Sequence, residues 1–192
     1  MAKRDTYHHG DLRRAVLDAA LDVVRTEGPG ALSLRELARR AGVSHAAPAH
    51  HFKDRAGLLT AIAVEGFRLL TDALGEAEDL REAGVRYVEF AFARPAHFQV
   101  MFRPDLVRAE DPELVAARAG AAERLRVAVE VLSHEGRVPD ARSAGVAAWS
   151  LAHGYATLAL SHNLPPNLSE DPAAHFRDLT DLLFNPPAPQ GG

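Results

Sequence analysis

The stretch SLRELARRAGVSHAAPAHHF, residues 33–52, decides the fold of this chain. Ser33, followed three residues later by Glu36, forms the capping-box pattern that marks the start of a helix. Gly42 can adopt the left-handed backbone conformation that ends a helix in a tight turn. Ser44 is a second N-cap, because its hydroxyl can accept a hydrogen bond from a free backbone N–H. The stretch therefore predicts two short helices joined by a turn, a helix-turn-helix.

The second of these helices is predicted to run from Ser44 to about His51. Pro48 and Phe52 stand four residues apart, so they share its inward face. An α-helix fits the major groove of DNA, where its first residues meet base edges and small side chains allow close approach. We therefore predict DNA contacts from the following residues: Ser33, Arg35, Ser44, His45, Ala46, Ala47, Ala49, His50, His51, Lys53 and Arg55.

Residues 9–67 resemble the DNA-binding domain of the TetR family of bacterial transcriptional repressors, through three motifs: AGVS at 41–44, HF at 51–52 and LL at 58–59. The family commonly has a phosphate-contacting tyrosine at the position of Ala49 and a lysine at that of Arg55. This chain lacks the tyrosine, since it has Ala49 there, whereas Arg55 keeps the positive charge of the lysine. The resemblance implies a homodimeric repressor of a palindromic operator, whose recognition helices enter major grooves roughly 34–36 Å apart.

The net charge of −4 is unevenly distributed along the chain. Residues 1–55 have ten Lys and Arg against seven Asp and Glu, a net charge of +3, whereas residues 56–192 have twelve against nineteen, a net charge of −7. The basic end carries the helix-turn-helix, as expected for a protein whose partner is double-stranded DNA. The chain has no cysteine and no apolar run that approaches the ~18 residues of a membrane span. We therefore expect a cytoplasmic protein without a membrane partner.

The spacing of apolar residues stays helical over the rest of the chain, and no turn signal typical of strands appears, so we predict an all-α fold. An N-terminal three-helix domain with the helix-turn-helix is expected at 8–54. A helical effector-binding and dimerisation domain is expected at 55–185, and a disordered proline- and glycine-rich tail at 186–192. A helix that begins at Asp111-Pro112 is predicted to place these residues along one side: Val115, Ala119, Ala122, Leu125, Val129 and Leu132.

Residues 140–162 predict a helix that is apolar on more than one side. Such a helix must be covered on more than one side, and a second copy of the chain can supply the second cover. We therefore predict a homodimer. Trp149, His153 and Gly154 match the W-H-G signature of one type of TetR-like C-terminal domain, and RPAHFQVMF at 94–102 is similar to that type.

A small apolar or aromatic effector is the expected ligand of the C-terminal domain, because ligand sites are mostly apolar with few polar groups. Taken singly, each candidate residue is more often a plain core residue than a ligand contact. The predicted lining consists of Tyr87, Phe90, Phe92, Phe98, Met101, Phe102, Trp149, His153 and Tyr155. No catalytic motif, cofactor fingerprint or metal-ligand spacing of histidines occurs in the sequence, so we expect no enzyme activity, cofactor or metal.

Two other interpretations fit the same residues. The chain could be a helical small-molecule-binding protein or enzyme in which the helix-turn-helix is only scaffold. It could also be a DNA-binding protein without an effector, whose C-terminal domain has a solid core. Only the DNA-binding interpretations predict an affinity for DNA that falls steeply with salt, since that fall comes from neutralised phosphates.

Overall fold

The computed structural model describes residues 8–40, 42–44, 46–134, 136, 140–165 and 171–184. Within them the chain forms nine α-helices and one short 3-10 helix at Pro29–Ala31, with no strand, which confirms the predicted all-α class. The helices are α1 (His8–Glu27), α2 (Leu34–Arg40), α3 (Ala47–Phe52), α4 (Arg55–Gly75), α5 (Leu80–Ala93), α6 (Pro95–Met101), α7 (Pro112–His134), α8 (Ala141–Leu160) and α9 (Pro172–Phe184). The predicted tail at 186–192 lies outside the described residues.

Aspartate side chains start several of these helices. Asp54 Oδ1 accepts a hydrogen bond from the backbone N–H of Gly57 at the start of α4, at 2.9 Å. Asp111 Oδ1 caps α7 in the same way, and Asp140 accepts from two backbone N–H groups of α8. Each cap satisfies donors that the first turn of a helix leaves free, which explains why α4, α7 and α8 start where an aspartate stands in the sequence.

The first compact unit contains the described residues up to Arg68 and the segment Arg94–Arg118. Its α1 packs against α2, α3 and α6, and buries a face whose residues recur at helical spacing. These residues are at most 2% exposed: Val16, Leu17, Ala20, Val23 and Val24. Because α4 residues up to Arg68 belong to this unit, the contacts do not divide at the predicted boundary between residues 54 and 55. The functional division placed there stays a prediction.

The second compact unit contains Leu69–Ala93 and the described residues from Ala119 onward. Its α5 packs against both α8 and α9, and Phe176 of α9 is 2% exposed. Arg81 of α5 and Asp181 of α9 form an exposed ion pair at 2.5 Å, and exposed pairs of this kind contribute little to stability. Apolar packing therefore holds this unit together.

The buried face of α7 differs from the prediction. Val115 is 49% exposed, and Ala119 and Ala122 are exposed as well, whereas Leu114 and Ala117 are buried. The predicted stripe is therefore not the face that this half of the helix buries, because alanine and valine occur on several of its sides and spacing alone could not select the buried one. Among the described residues, no helix has the length and hydropathy that a membrane-spanning segment needs.

Candidate nucleic-acid interface

The turn after α2 is closed by two backbone hydrogen bonds around Gly42. The Val43 N–H donates to the Ala38 carbonyl at 3.0 Å, and the Gly42 N–H donates to the Arg39 carbonyl at 3.3 Å. This pair of bonds is a Schellman motif, which needs a residue with positive φ at its centre. Gly42 has φ of 66°, as predicted for a glycine in this turn.

The second helix of the motif, α3, starts later than predicted. Instead of capping with its hydroxyl, Ser44 accepts a bond on its backbone carbonyl from the Ala47 N–H at 3.0 Å, and Ala46 holds the N-cap position without a side-chain bond. Pro48 lies in the first turn, where its missing N–H costs nothing. Pro48 and Phe52 are buried, as predicted from their spacing.

The backbone reverses sharply between α3 and α4. Lys53 has φ of 66° and ψ of −60°, and the Asp54 N–H donates to the Phe52 carbonyl at 2.8 Å. Together these make a γ-turn of the rare positive-φ form, which is strained for any residue with a side chain. A Cβ atom added at Gly57 would lie 2.0 Å from the same Phe52 oxygen. Only glycine therefore fits at position 57.

Arg108, from the loop between α6 and α7, binds the connection between α3 and α4 through two hydrogen bonds. Its guanidinium donates to Asp54 Oδ2 at 2.8 Å, and its backbone N–H donates to the Thr60 hydroxyl at 2.9 Å. The Gly57 N–H bond in the first place, and Arg108 in addition, lower the pKa of Asp54, so the carboxylate stays charged. The orientation of α3 is therefore fixed from its C-terminal side by residues that follow it in the chain.

The predicted DNA-contacting residues mostly lie at the surface. Ser33, Arg35, Ser44, Ala46, Ala49, His50 and Lys53 are exposed, and Ala47, His51 and Arg55 are half-buried. His45 lies outside the described residues. The Arg55 guanidinium donates to the Pro29 carbonyl at 2.7 Å, so this side chain also links α4 to the 3-10 helix that follows α1.

Two of the three arginines of α2 are held by a carboxylate. Glu36 accepts hydrogen bonds from Arg39 and Arg40 rather than completing the predicted capping box. Arg39 first, and then Arg40, lower the pKa of Glu36 to about 2. Arg35 is exposed, and no ion pair involves it in the described part of the chain. Arg35 is therefore the arginine of α2 whose charge is available to a phosphate.

Sequence reasoning missed one basic residue beside α3. The Arg13 guanidinium of α1 lies over the Phe52 ring, 5.4 Å from its centroid, in a cation–π contact. Arg13 follows Asp11 and Leu12 at the start of α1, and no local pattern distinguishes it from Arg14. Only the contact between α1 and α3 reveals that it lies next to the helix-turn-helix.

The residues predicted for the effector pocket belong to different units. Phe98, Met101 and Phe102 are in the first unit, where the two phenylalanine rings lie 5.4 Å apart. Met101 is fully buried. The other six, from Tyr87 to Phe92 and from Trp149 to Tyr155, are in the second unit. The nine residues therefore do not gather within either unit, and the pocket stays a prediction.

Within the second unit, Tyr87 and His153 form a polar pair among aromatic rings. The Tyr87 hydroxyl and His153 Nδ1 are 2.7 Å apart, and the Trp149 ring lies 5.7 Å from that of His153. Burial raises the pKa of Tyr87 and lowers that of His153, so the hydroxyl keeps its proton and the imidazole is neutral. Tyr155 instead bonds His175 and the Pro172 carbonyl, which joins α8 to α9.

A cleft of about 310 Å³ in the second unit is lined by charged side chains, including Arg86 and Arg177, and by none of the residues predicted for the effector. Among the described residues, no group of three or more His, Cys, Asp or Glu is arranged to hold a metal ion. The helix-turn-helix is therefore the best-defined candidate site.

Family models match both parts of the chain. Residues 16–62 match the N-terminal domain of bacterial regulatory proteins of the tetR family, and residues 80–183, more than half of the chain, match the tetracyclin repressor-like C-terminal domain. The chain belongs to the TetR family. The predicted resemblance to this family is confirmed, and the W-H-G subtype of its C-terminal domain stays a prediction.

Relatives and solved structures agree with membership of the TetR family. The HTH-type transcriptional regulator BetI of Serratia proteamaculans (strain 568) is 42% identical over 69 residues, which is 36% of this chain and 33% of that protein. The chain thus spans about a third of the length of the curated relatives it matches.

Among solved structures, a protein of unknown function from Rhodococcus sp. RHA1 is 33% identical, with 93% of this chain and 96% of that chain covered and a TM-score of 0.76. AibR in complex with isovaleryl coenzyme A and operator DNA has a TM-score of 0.68 at 16% identity, with 92% of this chain and 99% of AibR covered, and shares the fold.

Proposed function

We propose that this TetR-family protein is a DNA-binding transcriptional repressor that binds a palindromic operator as a homodimer and is released by a small organic effector. The observation that carries the proposal is the exposed face of α3, held from both ends by the Schellman turn and by the γ-turn at Lys53. Arg35 before α3 in the chain and Lys53 directly after it add exposed positive charge. A helix whose exposed side chains are small can approach base edges in the major groove, and nearby basic side chains can bind phosphates.

Dimerisation is supported by apolar residues that one protomer leaves exposed. On α8, Val146 is 56% exposed and Trp149 44%, whereas Ala152 and Ala156 on other sides of the same helix are buried. Leu182 of α9 is 61% exposed. A second copy of the chain that covers this face would bury these residues and place two α3 helices on one DNA duplex.

An effector is supported by the hydrogen-bonded pair of Tyr87 and His153 among aromatic side chains, since ligand sites combine apolar walls with few polar groups. AibR, which shares the fold, was solved with isovaleryl coenzyme A and operator DNA bound. We therefore expect an organic ligand for this chain as well, which lowers operator affinity by favouring one of two conformers.

Selection of bound sequences from a random duplex pool tests this function. The selected sequences should share a palindrome with half-sites about one helical turn apart. Affinity for that operator should fall by at least a hundredfold between 50 and 200 mM salt, because several phosphates are neutralised. If the protein enriches no sequence, and its weak affinity for DNA does not change with salt concentration, the result would support the interpretation in which the helix-turn-helix is only scaffold.

A further inference from the structure

The exposed surface of α3 combines small side chains with one histidine, His50. Ala46 and Ala49 are exposed, and Pro48 and Phe52 occupy the opposite, buried side of α3. From Val43 to Phe52 the sequence contains no Arg, Lys, Asn, Gln, Asp or Glu. The face therefore lacks every side chain that pairs bidentately with guanine or adenine, or that accepts from the cytosine amino group.

Two kinds of base contact remain available to such a face. An alanine methyl group can pack against the C5-methyl group of thymine, and an imidazole can form one hydrogen bond with a purine edge. His50 is exposed on α3, whereas the neighbouring His51 is half-buried. Ser44 is exposed too, but a hydroxyl both donates and accepts and so discriminates little between bases.

On these grounds, and resting on the DNA-binding function proposed above, we infer that the protein selects its operator chiefly by thymine methyl groups. Ala46 and Ala49 contact these methyl groups, and His50 adds a single hydrogen bond to a purine. The exposed Arg35 and Lys53 bind phosphates and fix the register without reading sequence.

The rigid ends of α3 make this mode of reading feasible. Methyl–methyl contact stabilises only within a short range of distances, since a gap of 0.5–1 Å forfeits about a quarter to a half of the attraction. The two bonds around Gly42, and the bond from Asp54 to the Phe52 carbonyl, hold both ends of the segment that carries the alanines. The positions of their methyl groups are therefore set by the fold before DNA binds.

The test replaces thymines with deoxyuridine, one at a time, in the operator obtained from the random pool. Deoxyuridine keeps the base pair and removes only the methyl group. We expect affinity, measured by fluorescence anisotropy at fixed salt, to fall roughly fourfold at one or two thymines of each half-site, which corresponds to the ~0.8 kcal/mol of one buried methylene-sized group.

Variants assign each methyl group to its partner. Ala46→Gly and Ala49→Gly should each bring the ratio of affinities for the thymine and deoxyuridine operators close to one, at the thymine that the replaced alanine contacts. Because both affinities are measured with the same protein, a loss of folded protein does not change this ratio. His50→Ala should relax selection at a single purine. Arg35→Ala is the matched control, because it should weaken binding to every duplex and leave the ratios unchanged.

Each result decides the inference. Ratios near one throughout, for a wild-type protein that still prefers its operator to random DNA, would overturn it while the proposed function stands. Uracil effects that persist unchanged in both glycine variants would overturn it too, because other residues would then read the methyl groups. Absence of binding to any duplex would overturn both the inference and the proposed function.

Discussion

Position 57 has room for the hydrogen atom of glycine but not for a Cβ atom. A Cβ atom at this position would lie 2.0 Å from the Phe52 carbonyl oxygen, which is backbone and cannot rotate away. Gly57→Ala should therefore destabilise the first unit by about 1–3 kcal/mol or more, as overpacking does, and tilt α3 away from its present orientation. Thermal unfolding and operator affinity measure the two effects.

The matched control for this substitution is Gly145→Ala in α8. Its added methyl group would meet its nearest neighbour, a Val129 methyl, at an ordinary 3.8 Å. Alanine should then stabilise the helix by roughly 0.5–1 kcal/mol, through the smaller entropy loss on folding. A Gly57→Ala protein as stable as the Gly145→Ala protein would show that the close approach to Phe52 does not exist.

Buried histidines should make the fold sensitive to mild acid. His97 is 4% exposed, and burial lowers its pKa although Glu65, 3.6 Å away, opposes the shift. Arg94 and Arg14 act in the same direction as burial. Because a histidine of the unfolded chain titrates near 6.5, the unfolded state binds more protons below that pH, so stability is full above it and falls with acidification.

We expect the melting temperature to fall between pH 7.5 and pH 5.5, and His97→Gln to reduce that fall. His153, whose pKa burial also lowers, should contribute in the same direction. His134→Gln makes the same substitution at an exposed position and serves as the comparison. An unchanged slope in the His97→Gln protein would mean that this imidazole takes up its proton in the folded state.

At the scale of the element, α2 offers a comparison between a free arginine and an engaged one. Arg35 has an exposed charge, whereas the Arg39 guanidinium donates twice to Glu36. Arg35→Ala should lower the slope of log affinity against log salt by about one and weaken binding to all duplexes alike. Arg39→Ala should change the slope less, since its charge is already neutralised. Equal effects of both would contradict this division of roles.

The helices themselves were largely predictable, because their signals are local. Asp54 and Gly42 each mark a helix end within a few residues of sequence, and the structure places ends there. The exposure of Ala46, Ala49 and His50 followed from the buried spacing of Pro48 and Phe52 in the same helix. DNA contact by these residues stays a prediction.

The supports of α3 were not predictable, because they depend on contacts between distant parts of the chain. Arg108 meets Asp54 across 54 residues, and no sequence pattern connects them. Lys53 has a positive φ, which lysine does not favour, so its own sequence gives no signal for the turn. The later start of α3 accompanies a backbone hydrogen bond from Ala47 to the Ser44 carbonyl, which the side-chain signal of Ser44 does not indicate.

For the whole molecule, the decisive experiment concerns the exposed apolar face of α8. Val146→Asp should raise the dimer dissociation constant at least tenfold, which needs only about 1.4 kcal/mol, and operator binding should be lost together with dimerisation. Val131→Asp on α7 is the control, since Val131 is 54% exposed and Val146 is 56% exposed. Analytical ultracentrifugation at micromolar concentration measures the dimer fraction of both variants. A wild-type protein that sediments as a monomer would contradict the proposed homodimer.

The γ-turn at Lys53 also sets the limits of any chimera built from this protein. Transfer of residues 33–52 to another scaffold would move α3 without the residues that fix its orientation. A recipient with alanine at the position of Gly57 would collide with the Phe52 carbonyl, and one without Arg108 would lose the link to Asp54. The smallest set of residues that could be transferred with α3 in its present orientation is therefore discontinuous in sequence. It extends through Thr60 and also includes Arg108, whose loop follows α5 and α6.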